Sequence, residues 1–388
     1  MAIDKEKASL CALGRIFHFD PKIALALISH FGNASAIFDA GTETIDDILG
    51  PFSRYKGKIA PEETDKAYNE LLRLHQRGVT FTGWTEKEYP SLLKECEDAP
   101  VGLYIRSSTP TEALWKHDKN ISVIGTRDIS SYGTEWCRKI VEGLGACASR
   151  TTVTSGLALG TDICAHLAAL EAGIPTIGVM ATGPDMVYPH RHEHIAERIA
   201  ETQGCALITE FPPGTAPLAA HFLRRNRIIA GLSHAVILIE SKIRGGGMNT
   251  SRLAFSYNRE VYALPGRADD IRSQGCNSLI REKVAEPVTS VEDLIRSLGM
   301  KKVRHTSARN SASVLEGMYS SSMDSDRISM MSRIISTLRE NKESYIEDIA
   351  EKTGLPYRQT ASLCRILEND GIIYADLLQR YSINTKNF

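Results

Sequence analysis

The run HAVILIE, His234 to Glu240, constrains the fold most. Five apolar residues in succession leave no polar face for solvent, so it reads as a central strand of a parallel sheet, covered on both sides. Just before it, FLRRNRIIAGLS sets Phe222 and then Arg224, Arg225 and Arg227 around Asn226 at the start of a helix. Just after it come Lys242, Arg244 and the triple glycine Gly245, Gly246 and Gly247. Bare glycines let backbone N–H groups approach an anion closely where the next helix begins. Open α/β sheets place their ligands beyond the carboxyl ends of such strands. From 224 to 272 nine Arg or Lys stand against four Asp or Glu, in a chain whose net charge is −1. A local excess of that kind suits a polyanion better than a small neutral substrate.

From Ile121 onward strand and helix alternate. ISVIG (121–125), TTVTSG (151–156), PTIGVMATG (175–183), CALITE (205–210), the central run and EVYALPG (260–266) supply six strands, with helices expected over 134–148 and 162–172. Parallel neighbours need crossover connections, so the fold class is α/β: a doubly wound parallel sheet. Small polar or cationic groups close several strands: Gly125, Thr126 and Arg127; Ser155, Gly156 and Gly160; Gly183; Glu210; and the triple glycine. Their convergence on one sheet edge predicts a single crevice. Neither glycine turn reads G-x-G-x-x-G, and G-x-x-x-x-G-K-[ST] is absent, so no nucleotide cofactor is expected.

At 388 residues the chain has room for two or three domains. Residues 1–75 read as a small helical domain, with Asp20 as N-cap, Pro21 at the first helical position, a break at Gly32-Asn33 and a new start at Thr42 to Thr44. That pattern is similar to helix-hairpin-helix and sterile-alpha-motif-like folds. The α/β body is expected over 76–300, with VGLYIRS as an added edge strand. Serine-rich residues 301–326 read as a flexible linker. Residues 327–388 suggest three helices and a two-stranded wing, a winged helix whose nine Lys or Arg and eight acids suit protein docking as well as DNA reading. No apolar run approaches the roughly 20 residues that span a bilayer, and the charged start MAIDKEKASL is unlike a leader; a cytoplasmic protein is expected. The eight cysteines are scattered without a C-x-x-C pair and read as reduced, mostly buried thiols. His190, His192 and His194 read as a solvated helix start rather than a metal site. Asp162 and His166, four apart, read as a helix start rather than as partners of a catalytic Ser155.

Laid end to end, VIGTRDISSYG, SGLALGTDICAHLAALEAG, PTIGVMATGPDMVYP, ITEFPPGT, FLRRNRIIAGLSHAVILIE, GGGMNT and VYALPGRADDIRSQGCNSLI resemble the DNA-processing protein A (DprA, or Smf) family. The resemblance implies an extended Rossmann-like, doubly wound parallel sheet and a protein without catalytic activity that binds and protects single-stranded DNA in a basic pocket of that fold, forms a homodimer through it, and loads the RecA recombinase in natural transformation. It implies DNA contacts from Arg127, Ser155, Gly156, Arg224, Arg225, Asn226, Arg227, Lys242 and the turn Gly245 to Gly247, with Phe222 as a base-stacking platform. Leu223 replaces the family's proline, and GGGMNT replaces its serine-containing turn, which shifts phosphate contacts from hydroxyls to the backbone. The segment Lys283 to Ala285 replaces a Gly-Ala pair near the family's possible dimer surface. Two other readings remain: a phosphoribohydrolase-like enzyme, although residues 245–256 lack its carboxylate, and an adaptor that does not bind DNA.

Overall fold

The computed structural model describes residues 3–301, 315–320, 323–341, 343–376 and 378–384. The chain divides into two compact units, Met1–Lys302 and Val303–Phe388. The first contains a nine-stranded sheet: β1 (Val79–Gly83), β2 (Gly102–Arg106), β3 (Lys119–Ile124), β4 (Thr151–Ser155), β5 (Thr176–Val179), β6 (Ala206–Thr209), β7 (Ala235–Leu238), β8 (Glu260–Ala263) and β9 (Glu286–Pro287). Their order is β1-β2-β6-β5-β4-β3-β7-β8-β9. All six expected strands are present, and every pairing from β6 to β9 is parallel.

The sheet departs from a wholly parallel one at its first edge, where β1 pairs with β2 and β2 with β6 in antiparallel fashion. The expected edge strand is therefore second from the edge, covered by β1, which the sequence pattern had not separated from the turns around it. Gly102 explains the close pairing, since a Cβ there would overlap the Phe81 ring.

Burial on both faces is what makes β7 a strand of this kind. Val236 and Leu238 pack with Ile228 and Ile229 of the helix Ala219–Gly231, while Ala235, Ile237 and Ile239 pack with Ile140 and Val141 of the helix Ser131–Gly145. The alternation follows the two-residue period of a strand. The helix expected from Thr134 starts earlier because Ser130 caps it: its Oγ accepts from the Gly133 amide at 3.0 Å. That hydroxyl donates in turn to Glu240, whose carboxylate also accepts the Ser130 amide at 2.9 Å. Buried Glu240, at the exit of β7, thus ties down the loop leaving β3.

The five helices between Lys5 and His75 share a core with β1 and β2, in which Leu10, Leu13, Phe17 and Ile37 meet Phe81, Val101 and Tyr104. Pro21 opens the helix Pro21–Phe31 as expected, but Asp20 makes no capping hydrogen bond; Arg54 and Tyr55 take its carboxylate instead. In the second unit the helices Ser325–Asn341, Ile346–Thr353 and Tyr357–Asn369 and the antiparallel pair Ile373–Ala375 and Tyr381–Ile383 enclose Met331, Ile335, Ile349, Leu363 and Leu367. Of the expected linker, 302–314 and 321–322 lie outside the described residues. Residues 315–319 are helical and bury Leu315 and Tyr319 in this core, so that part is no linker. No described helix is long and apolar enough to cross a membrane.

Ile237 is 0% exposed, and truncating a buried isoleucine to alanine costs about 2–5 kcal/mol. Ile237→Ala should lower the urea midpoint of the first unit accordingly. Tryptophan fluorescence reports that unit alone, because Trp84, Trp115 and Trp136 are the chain's three tryptophans.

Candidate functional site

The chain leaves β3 for β4 on one side, yet β7 lies on the other, so the winding direction reverses between β3 and β7. Ligands of open α/β sheets bind where the loops diverge at such a reversal. Here they bound a cleft of about 760 Å³. Glycine permits the loops to approach this closely: a Cβ at Gly125 would overlap Thr161 Oγ1, and one at Gly247 would lie 2.6 Å from Leu238 Cδ1 and 3.6 Å from Gly125 Cα.

Four cations line the cleft, Arg127, Arg225, Lys242 and Arg244, against two acids, Asp128 and Asp162. Arg127, Lys242 and Arg244 are exposed and pair with no acidic residue among the described residues. Asp128 is engaged by Arg272 at 2.9 Å. Arg225 is buried, donates to the Val179 carbonyl and lies beside Asp162. Burial lowers the Arg225 guanidinium to about 10, opposed by the Asp162 charge. Burial likewise raises Asp162, with Arg225 opposing it. The pair fits only because residue 156 is glycine, since a Cβ there would overlap both Asp162 and Arg225.

Gly245 is the N-cap of the helix Gly246–Ser256. Its own amide donates to the Lys242 carbonyl at 2.9 Å, leaving Gly246 and Gly247 in the first turn, where helices lack intrahelical acceptors and carry partial positive charge. Gly246 is exposed, and a Cβ there would meet nothing within 4 Å. On the opposite wall Phe222 is half-buried, with the Arg127 guanidinium 5.1 Å from its ring centre and Tyr188 at 5.6 Å, edge to face.

Of the residues singled out from sequence, Arg127, Phe222, Arg225, Asn226, Lys242, Gly245, Gly246 and Gly247 come together in the cleft. Ser155, Gly156, Arg224 and Arg227 do not line it. The Ser155 hydroxyl donates to the Val123 carbonyl at 2.6 Å. Arg224 and Arg227 turn to buried Glu210, and they also reach the carbonyls of Phe19 and Asp98. Helical periodicity sorts these neighbours: Phe222, Arg225, Asn226 and Ile229 fall on the cleft face, Arg224 and Arg227 on the other. Other members of the cationic excess are paired as well, Arg252 with Glu282, Arg259 with Glu95 and Arg267 with Asp269. Tyr188 and Glu240 were not anticipated; both act through contacts between segments distant in sequence and leave no periodic signal.

The helix start at 190–194, expected to be solvated throughout, is so only at His190 and His194, because His192 turns inward. His192 is buried with Nδ1 2.8 Å from the Leu157 carbonyl, His190 pairs with Glu193 at 3.0 Å, and the described residues contain no cluster able to hold a metal. His166 donates from Nε2 to the Gly156 carbonyl at 2.5 Å, with Nδ1 2.7 Å from Thr176 Oγ1.

An α/β sheet with a cationic, glycine-walled cleft at its winding reversal places the chain among the Rossmann-like α/β proteins. Residues 80–299 match the family described as DNA recombination-mediator protein A. The chain is 31% identical over 297 residues to Protein Smf of Synechocystis sp., covering 76% of this chain and 73% of that one. It is 39% identical over 207 residues to DNA processing protein DprA of Streptococcus pneumoniae, covering 53% and 70%. The X-ray structure of DNA processing protein A from Streptococcus pneumoniae superposes with a TM-score of 0.57 at 29% identity, over 76% of this chain and 98% of that one. A Helicobacter pylori structure, described for its unique single-stranded DNA binding mode, gives 0.50 at 27% identity, over 56% and 95%. The chain belongs to the DNA recombination-mediator protein A family, whose members are also called DprA or Smf.

Burial lowers His166 from its ordinary value of 6.5 to about 4. The unfolded chain therefore takes up this proton first as pH falls. Stability from neutral His166 is complete above about 6.5 and declines toward 4, by on the order of 3 kcal/mol in all. His166→Gln should flatten this limb of the stability profile in urea titrations; an unchanged slope would assign the limb to other groups.

Proposed function

We propose that this protein binds single-stranded DNA in the cleft between β3 and β7 and acts without catalysis as a recombination mediator. The observation that carries the reading is the meeting, at one winding reversal, of exposed Arg127, Lys242 and Arg244, the first helical turn at exposed Gly246 and buried Gly247, and the half-buried ring of Phe222. Guanidinium and ammonium groups with backbone amides match a sugar-phosphate track, and an aromatic ring gives an unpaired base a stacking platform. Membership of the recombination-mediator family supports the same reading, as does the Helicobacter pylori relative described as binding single-stranded DNA.

The wider role we infer is that of a cytoplasmic homodimer that protects incoming strands and loads the RecA recombinase during natural transformation. In this reading the N-terminal helices act as a sterile-alpha-motif-like module. The three helices and strand pair of the second unit act as a winged helix, with a balance of charge that suits a docking partner as well as duplex DNA.

Oligo-dT binding followed by fluorescence anisotropy tests the site. Affinity should fall as salt rises, with a log–log slope of about −0.7 per phosphate neutralised. Arg127→Ala and Lys242→Ala should each weaken binding and make the slope shallower by about that amount; slopes equal to wild type would remove the cleft from the DNA path.

Gly246→Ala gives an independent test of the backbone contact. The added methyl has open space in the free protein, so the unfolding midpoint should be essentially unchanged while oligo-dT affinity falls several-fold. Undiminished affinity would mean that the strand does not approach these amides.

A second reading is favoured by Asp162, a carboxyl that lines the cleft and is raised by burial, as the acid of a phosphoribohydrolase-like enzyme would be. Release of free base from nucleoside monophosphates, abolished in Asp162→Asn, would decide for that enzyme.

A further inference from the structure

The loop 51–58, PFSRYKGK, lies between the helices Thr42–Leu49 and Pro61–His75 and carries Arg54, Lys56 and Lys58 beside Phe52 and Tyr55, with no acidic residue of its own. Cations interleaved with rings suit a single strand, whose phosphates take the charges and whose unpaired bases take the rings. The loop is held in place. Tyr55 is buried with its ring 4.4 Å from that of Phe17, and the Gly57 amide donates to the Asp46 carboxylate at 2.8 Å. Arg54 and the Tyr55 hydroxyl donate to Asp20, which neutralises the arginine. Lys56 and Lys58 are exposed and pair with no acidic residue among the described residues; Lys58 stands 5.5 Å from the Tyr55 ring centre. Phe52 is 100% exposed.

The contacts of Asp20 also connect this loop to the cleft. Asp20 follows Phe19, whose ring is 49% exposed and lies against the first turns of the helix Ala219–Gly231. The ring centre is 5.4 Å from the Arg224 guanidinium and 6.4 Å from the His221 ring, and Arg224 donates to the Phe19 carbonyl at 3.0 Å. In the sequence of that helix, Phe222 and Leu223, which line the cleft, stand between His221 and Arg224. One helix therefore carries a ring on its cleft side and supports a second ring beyond it, and the second ring adjoins the loop through Asp20.

We propose that single-stranded DNA leaving the cleft past Phe222 crosses Phe19 and runs along the loop 51–58, with Phe19 and Phe52 stacking bases and Lys56 and Lys58 taking phosphates. The proposal rests on the reading of the cleft as the strand's site, and it makes the N-terminal helices part of the same interface. A short strand is held by the cleft alone, whereas a longer one also gains the loop's lysines and rings. Stacking and phosphate contacts are tolerant of sequence, so the loop lengthens the occupied site without adding a base preference.

Fluorescence anisotropy on the full chain, with oligo-dT of about 6 and about 20 nucleotides, separates the cleft from its extension, since these lengths bracket most single-strand site sizes. The double variant Lys56→Ala with Lys58→Ala should bind the long strand several-fold more weakly, with a log–log salt slope shallower by about 0.7 for each lysine. It should bind the short strand as wild type does. Phe19→Ala and Phe52→Ala should each weaken the long strand only and leave its salt slope unchanged. The side chains of Phe52, Lys56 and Lys58 are exposed, so these variants should keep the wild-type urea midpoint and remain informative if Phe19→Ala is destabilised. Wild-type affinity and slope for the long strand in the lysine variant would overturn the extension and leave the loop to a protein partner; the cleft would stand if Arg127→Ala still weakened the short strand. Equal weakening of both lengths by the lysine variant would also overturn it, because the lysines would then act through the general field of the molecule. A short strand indifferent to Arg127→Ala would instead remove the cleft, and the extension with it.

Discussion

The close approach of two loops at the carboxyl ends of β3 and β7 is the constraint on which the cleft depends. Neighbouring parallel strands whose connections run in opposite directions leave a gap between their exits, and the gap is useful only if its walls are held. Glu240 holds one wall by receiving both the amide and the hydroxyl of Ser130. Gly125 and Gly247 allow the other contacts by withholding side chains where backbone must pass close to backbone. A polar carboxylate buried at a strand end is stable here because its acceptor capacity is met by the loop it orders.

Charge in this protein is sorted by pairing as much as by position. The basic helix brings three arginines within four residues of one another, yet only Arg225 reaches the cleft. Glu210 engages the other two, and those pairs help join the helix to Phe19 and Asp98. Exposed Arg127, Lys242 and Arg244 are left to project the field toward solvent. Arg225 and Asp162 form a buried pair that shapes the floor, where burial disfavours both charges and each partially restores the other.

The N-terminal helices are packed on the antiparallel edge of the sheet rather than suspended beside it. Their shared core with β1 and β2 explains why the segment from 76 to 120 looks irregular in sequence: its strands are short and interrupted by turns, and Gly102 pairs against Phe81 where no local pattern announces it.

Local periodicity in the sequence made the six central strands legible, because burial on both faces demands uninterrupted apolar residues and crossover helices demand spacing between them. The composition of the strand ends also marked the glycine turn, Arg127, Arg225, Asn226 and Lys242, with Phe222 added by the family resemblance. It did not separate the two faces of the basic helix by charge count, since Arg224, Arg225 and Arg227 are alike until Glu210 is brought beside two of them. Tyr188, Glu240 and the pairing of β1 with β2 likewise emerged only with the tertiary structure. Each depends on groups far apart along the chain, and a linear pattern carries no information about which distant carboxylate, ring or backbone will meet them. The amino-acid order by itself determined a buried parallel sheet with cations and glycines at its strand exits; chain packing decided which of those cations remain unpaired and share a cleft.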